Sequence, residues 1–444
     1  MSLIVKIGKK VKRMLFGEES RIPDRDYVSL VRRIDRVAVE EKVCAMTFDD
    51  GPCALPPSPN TGKHASLTEA ILSALTSYGA TATFDIIGDT SENYPDVAGE
   101  AGRADWGGVA YDHYPYLNED AMGGAVHQPE LVKKMLEAGC ELSNHAYRHV
   151  LFGRKNFVYG KRHTWHTAEE VLLDAERLHR YTKDTFDVTL KLARPPHYVD
   201  RIGKLLTSYD VYERMGYQYM GASFDGAGWL PLDTYAAEVS AMTVPIAAAL
   251  AEDKNALCGQ IIFGKDGYNM AFRSPVADAL PKQLKLLTEA GYRVVTVSEL
   301  MSLGQFSDVS RSHPLYADAE ALLRAGRPVA YRDNTLRPEA AVTVGEMFYM
   351  LSTPENREER YQALSRGENT RVWGGCRLSH PYGAGALYAA EHGIPSTSVG
   401  RPLTVELANR LLPLCGIHVP MDGTGPVTRA AWIHFLAACD RNKG

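Results

Sequence analysis

Paired thiols are missing from this sequence. Its seven cysteines (Cys44, Cys53, Cys140, Cys258, Cys376, Cys415 and Cys439) are scattered, odd in number and never spaced C-x-x-C. That argues against a disulfide framework and a thiolate zinc site, and for reduced thiols. No apolar run is long enough to span a bilayer. The net charge of −5 is too mild for a general nucleic-acid binder. The N-terminus, MSLIVKIGKKVKRMLFGEESRIP, lacks the unbroken apolar core of a secretory signal. Location therefore stays open between the cytoplasm and a membrane or cell surface. In that segment Ile4, Ile7, Val11, Met14 and Leu15 fall at helical spacing among Lys6, Lys9, Lys10, Lys12 and Arg13. Such a basic amphipathic helix either lies on an anionic membrane or packs on the protein's own body.

What is present describes a globular protein: 444 residues, 45% hydrophobic and 23% charged, a length that favours two domains. From Val43 to about Leu300, short apolar runs alternate with helical segments. The strand candidates are 43–48, 80–87, 140–145, 217–222, 258–264 and 292–297. Helix-like stretches at 66–79, 129–139 and 168–182 carry apolar residues at i, i+3, i+4 spacing. Repeated strand–helix–strand units imply a largely parallel sheet covered by helices, and a closed barrel is a common solution. Residues 90–128 interrupt the rhythm, being rich in Gly, Asp and aromatics without periodicity. Trp106, Tyr111, Tyr114 and Tyr116 there either stack on sugar rings or pack on the loop itself. After Leu300 the strands give way to short helices punctuated by Gly and Pro. Segment 308–351 has a partial echo at 379–412, and 425–436 repeats its last part.

The chemistry gathers at strand ends. AMTFDDGP (45–52) closes an apolar run on two adjacent carboxylates, a costly arrangement unless a cation offsets the repulsion. CELSNH (140–145) leads into His145-Ala-Tyr-Arg-His149, two imidazoles four residues apart. Two histidines and one carboxylate suit Zn²⁺ or another borderline divalent cation with a position open for water. One aspartate would then bind metal while the other takes the proton of the metal-bound water as it attacks. His163 and His166, or His113 and His127, read as loop histidines. Cys44 reads as core, and neither Cys44 nor Cys53 has an evident base beside it.

TFDDG (47–51), NHAYRH (144–149), ARPPH (193–197), the stretch around Asp225 and Trp229, and the strand at 260–265 resemble the ordered motifs of NodB-like polysaccharide deacetylases, carbohydrate esterase family 4. The resemblance covers about residues 40–300, with YRVVTVSEL (292–300) similar to the family's last strand. It implies an α/β fold, a distorted (β/α) barrel, acting on N- or O-acetylated carbohydrate with a divalent metal, Zn²⁺ foremost. By the same resemblance Asp49 is the base, Asp50, His145 and His149 the metal ligands, and Arg194 the partner of the base. His197 stands where the family has an aromatic residue whose N–H stabilises the oxyanion. Tyr198, Asp225 and Trp229 are assigned to substrate binding.

Two positions depart from the pattern. Lys265 stands where the family has the histidine that protonates the leaving amine, and Gly228 where it has the aspartate that tunes that histidine. Either Lys265 or His197 replaces the acid, or the site binds metal and sugar with little turnover. The function is therefore a metal-dependent deacetylase with an atypical acid, a non-catalytic carbohydrate- or cell-wall-binding protein on a decayed barrel, or a hydrolase of another C–N amide bond. Segment 308–351, with DNTLRP (333–338) and VTVGE (342–346), resembles an S-layer homology repeat, and GPVTRAAW (425–432) resembles the end of one. That resemblance implies anchoring to a cell-wall polymer; the alternative is a small helical domain that shapes the groove. The expected organisation is a basic segment 1–38, a deacetylase-type barrel 39–304 and a helical S-layer-homology-like domain 305–444.

Overall fold

The computed structural model describes residues 25–59, 64–89, 120–153, 164–269 and 271–441. The basic N-terminal segment to residue 24, the aromatics of 90–119, His113 and His163 lie outside the described residues. Val39–Gly203 and Arg214–Leu303 form one compact unit; Ile22–Ala38, Lys204–Glu213 and Gly304–Gly444 form another.

The first unit is a curled parallel sheet with helices on its strand-to-strand connections. Its strands are β1 (Val43–Asp49), β2 (Thr83–Ile86), β3 (Glu141–Asn144), β4 (Leu192–Ala193), β5 (Gln218–Met220), β6 (Phe224–Asp225), β7 (Ile261–Lys265) and β8 (Arg293–Val295). The order is β6-β7-β1-β2-β3-β4-β5, with β8 paired to the first half of β1. β1 is buried along its whole length, which is why it reads as a continuous apolar run rather than an alternation. Register sets which side chains meet at the strand ends. Asp49 lies opposite Lys265 on one side and Asp85 on the other, Asp85 opposite Ser143, and Asn144 opposite Ala193. The C-terminal ends of five neighbouring strands thus finish at one level, the edge where barrel-like α/β folds keep their chemistry.

The helices are α1 (Leu67–Ser77), α2 (Pro129–Glu137), α3 (Ala168–Phe186), α4 (Tyr235–Glu252), α5 (Val276–Glu289) and α6 (Val297–Leu303). Ser66 and Thr167 cap α1 and α3, and Glu170 completes a capping box at α3. The expected last strand at 292–297 is shorter than its apolar run. β8 stops at Val295 because Thr296 accepts from the Glu299 N–H at 3.1 Å and starts α6, the T-x-x-E start signal inside TVSEL.

The second unit is mainly helical: α7 (Tyr316–Arg324), α8 (Val344–Leu351), α9 (Pro354–Ser365), α10 (Gly383–Glu391), α11 (Val405–Leu411) and α12 (Arg429–Arg441). A two-residue antiparallel pair, Val28–Ser29 with Ala330–Tyr331, also belongs to it, a strand past Leu300 that is too short to leave a periodic signal. The internal echoes take a physical form here. Val342 N–H donates to Val427 O (2.9 Å), Val427 N–H to Leu403 O (2.9 Å), and Leu403 N–H to Val342 O (2.8 Å). Three equivalent segments therefore close a ring of backbone hydrogen bonds. The next residue of each, Thr343, Thr404 or Thr428, accepts from the first turn of the helix that follows. Trp432, Phe348 and Leu403 pack into the core around this ring.

Candidate active site

The strand ends bring four carboxylates into one buried cluster: Asp49, Asp50, Asp85 and Asp266. Burying like charges is unfavourable unless each finds a partner, and each has a different one. Asp49 accepts from Arg194 Nη1. The Arg194 side chain is wholly buried, and its other donors reach Met220 O (3.0 Å), Gly221 O (2.8 Å) and Thr47 Oγ1 (3.2 Å). Five donors in a rigid fork suit such a fixed carboxylate partner better than a lysine would. Burial pushes the Asp49 carboxyl up to about 7, against the pull of Arg194 and His145.

Asp50 lies past the strand end in the left-handed region, at φ 77°. A non-glycine residue there is strained, and such strain clusters at functional sites. Its Oδ1 is 3.1 Å from His145 Nε2 and 3.2 Å from His149 Nε2, and these three ligand atoms lie within 4.8 Å of one another. His149 (φ 52°) and the intervening Ala146 (φ 72°) are left-handed too, so the turn is bent to bring both rings onto one carboxylate oxygen. The opposite oxygen of Asp50 accepts from Lys265 Nζ.

Gly51 completes the doublet for a steric reason. A Cβ there would sit 2.1 Å from Asp266 Oδ2, so only glycine lets that carboxyl approach.

Three residues that support the site carry no motif signal in the sequence. Asp85, fully buried, accepts from Ser143 Oγ and lies 2.7 Å from His145 Nδ1, which is also 2.8 Å from Arg194 O. Both contacts turn the Nε2 of His145 toward Asp50, the way an outer carboxylate orients a ligating imidazole. Burial opposes a charge on His145, but Asp85, Asp49 and Asp50 outweigh it and raise the imidazole well above its ordinary value. Asp174 of α3 holds the turn between the histidines, accepting from Tyr147 N–H (2.8 Å), Arg148 N–H (3.3 Å) and Arg148 Nε (3.0 Å). Asp266 accepts from Thr68 Oγ1 at 2.7 Å, while its backbone N–H donates to Asp49 O. A lone Asp inside an apolar run was the only hint at Asp85.

Burial pushes Asp266 up to about 7, with the Thr68 hydroxyl pulling the other way. Unfolded, the same carboxyl ionises near 4. Between those values the folded protein holds a proton the unfolded chain has lost, so this carboxyl's contribution to stability is full below about pH 4 and declines as pH rises toward 7. Asp266→Asn is expected to remove on the order of 2 kcal/mol of the loss between pH 5 and pH 8. Denaturant melts of chelator-treated protein at the two pH values check this.

His197, half-buried and at φ 55°, has its ring 5.4 Å from that of His149. Tyr198 lies under the Arg194 guanidinium at 5.1 Å and beside Tyr219 and Phe263. Asp225 accepts from Trp229 Nε1 at 3.1 Å and pairs in register with Phe263 of β7, two residues before Lys265. Gly228 reaches the same strand, since a Cβ there would lie 4.0 Å from Lys265 N. His127 sits 3.1 Å from Asp89 and His166 is exposed; neither joins the cluster. Cys44 is buried core, its thiol pushed up to about 12 by burial.

The C-terminal edge of the curled parallel sheet thus carries a candidate Asp/His cation site, with a buried carboxylate and a sealed arginine beside it. Residues 36–220 match the family model for polysaccharide deacetylase. Over this region the chain is similar to polysaccharide deacetylases, and the protein is a polysaccharide deacetylase-like hydrolase. A peptidoglycan-N-acetylglucosamine deacetylase from Bacillus cereus is 27% identical over 263 residues, covering 59% of this chain and 89% of the relative. Among solved structures, peptidoglycan deacetylase PdaC from Bacillus subtilis overlaps at 22% identity and a TM-score of 0.38, covering 60% of this chain and 93% of that one. A CE4 family pseudoenzyme from Bacillus anthracis overlaps at 13% identity and a TM-score of 0.37, covering 60% and 67%. The likeness to polysaccharide deacetylases lies in the match over 36–220 and in the B. cereus relative.

Proposed function

We propose that this protein removes acetyl groups from an acetylated carbohydrate, with Asp50, His145 and His149 holding a divalent cation. The observation that supports this most is the convergence of both imidazoles on Asp50 Oδ1 beside the buried Asp49–Arg194 pair. Two neutral imidazoles and one carboxylate favour Zn²⁺. Bound there, the cation would supply electrophilic pull on a carbonyl oxygen and lower the pKa of a water molecule.

The chain's own residues do the rest. Asp49 takes the proton of the attacking water, and Arg194 fixes the direction of that carboxylate. Asp85 keeps the Nε2 of His145 on the cation side. The leaving amine needs a proton. We assign that role to His197 ahead of Lys265, because Lys265 Nζ is engaged by Asp50, whereas His197 is half-buried beside His149. Tyr198, Asp225 and Trp229 line the approach as sugar contacts. The B. cereus relative acts on N-acetylglucosamine in peptidoglycan, which puts N-acetyl groups of cell-wall glycans first among substrates to try, ahead of O-acetyl esters.

A second reading is a carbohydrate- or cell-wall-binding protein without turnover, and the Lys265–Asp50 ion pair favours it. Acetate release from N-acetylglucosamine oligomers and peptidoglycan, by wild type and Lys265→His, separates the two. Release by wild type, raised in the histidine variant, supports a deacetylase with a weakened acid. No acetate from either supports the binding protein. For the C-terminal unit, the closed ring of three similar segments supports the S-layer-repeat reading and hence attachment to a cell-wall polymer.

A further inference from the structure

We infer that Lys265 is a tethered cation that holds one oxygen of Asp50 and so weakens the binding of the divalent cation at Asp50, His145 and His149. The inference rests on the reading of those three residues as cation ligands. The two oxygens of Asp50 serve different partners. Oδ1 faces His145 Nε2 at 3.1 Å and His149 Nε2 at 3.2 Å, while Oδ2 accepts from Lys265 Nζ. A carboxylate divided in this way ligates through one oxygen only.

The ammonium cannot move far aside. Lys265 is 9% exposed at the end of β7, in register with Asp49. A Cβ on Gly267 would lie 3.2 Å from Lys265 Cε and 3.7 Å from Asp50 Cβ, so the chain folds back over both side chains. Within the cluster, Asp49 has Arg194, Asp85 has Ser143 and His145, and Asp266 has Thr68. Asp50 has the ammonium, which offsets its charge when no cation is bound. The same ammonium repels a divalent ion held on the other oxygen of that carboxylate. Lys265 therefore stabilises the site before metal enters and opposes the metal that does.

The test is Zn²⁺ affinity, measured by competition with a chromophoric chelator on full-length, chelator-stripped protein, with melting temperatures alongside. Lys265→Met is expected to bind Zn²⁺ at least tenfold more tightly than wild type and, stripped of metal, to melt lower. Lys265→Arg keeps the charge and is expected to stay within threefold of wild type. Lys265→Gln, neutral but still a donor, repeats the measurement if the methionine variant does not fold. Equal or weaker Zn²⁺ binding by the neutral variants overturns the inference and leaves the ligand reading standing. No Zn²⁺ binding by wild type or any variant overturns both.

Discussion

Asp49→Asn is expected to lower the rate of acetate release by about a thousandfold, within the range a positioned general base supplies, while Zn²⁺ binding stays close to that of wild type. The division of labour follows from which atoms face which. Asp49 Oδ2 lies 3.9 Å from His145 Nε2, whereas Asp50 Oδ1 lies 3.1 Å from it and also meets His149. The asparagine keeps the shape of the side chain but loses the charge that Arg194 holds in place. Asp50→Asn is the matched control: it should lose Zn²⁺ and activity together. Metal stoichiometry measured alongside turnover distinguishes them. If both variants lose metal equally, the two aspartates share one role and the assignment of Asp49 as base is wrong.

The second large effect is on stability. Arg194→Met is expected to destabilise the protein by about 3–5 kcal/mol, the usual result of removing one partner from a buried ion pair. The arginine is fully buried and donates to Asp49, Thr47 Oγ1, Met220 O and Gly221 O. Methionine fills similar volume but leaves two carbonyls and a carboxylate without those donors. Urea unfolding measures the loss. In Arg194→Met with Asp49→Asn, the buried charge is gone, so the double variant should be more stable than the sum of the two single losses implies. A loss below about 1 kcal/mol would mean that water or neighbouring groups replace the arginine, contrary to its sealed position.

Much of the site could be read before the fold was known, because its residues stand at strand ends in ordered motifs. Asp49, Asp50, His145, His149 and Arg194, each singled out in the sequence, lie together in the structure although they span 145 positions from Asp49 to Arg194. Their supports were not legible. Asp85 sits in TATFDII, where a single Asp in an apolar run looks like a strand interruption; only the parallel register sets it opposite Asp49 and Ser143. Asp174 lies on the buried face of an otherwise ordinary amphipathic helix, and its three bonds to the histidine turn are purely tertiary. Lys265 could be located in sequence, but its partner could not, since Asp50 is 215 residues away.

The second unit shows the same limit. The repeated V-T and L-T segments are visible in the chain, whereas the ring that joins Val342, Leu403 and Val427 depends on three non-local hydrogen bonds. Likewise Ile22–Ala38 and Lys204–Glu213 belong to this unit, and nothing local in their composition sets them apart from the rest of the chain.

The most direct test of the central claim is acetate release from N-acetylglucosamine oligomers as Zn²⁺ is titrated back into chelator-treated protein. Acetate is expected to appear in proportion to bound metal up to one ion per chain, and to be absent from Asp50→Asn at the same zinc concentrations. Release that is independent of added metal, or that survives in Asp50→Asn, would contradict the account.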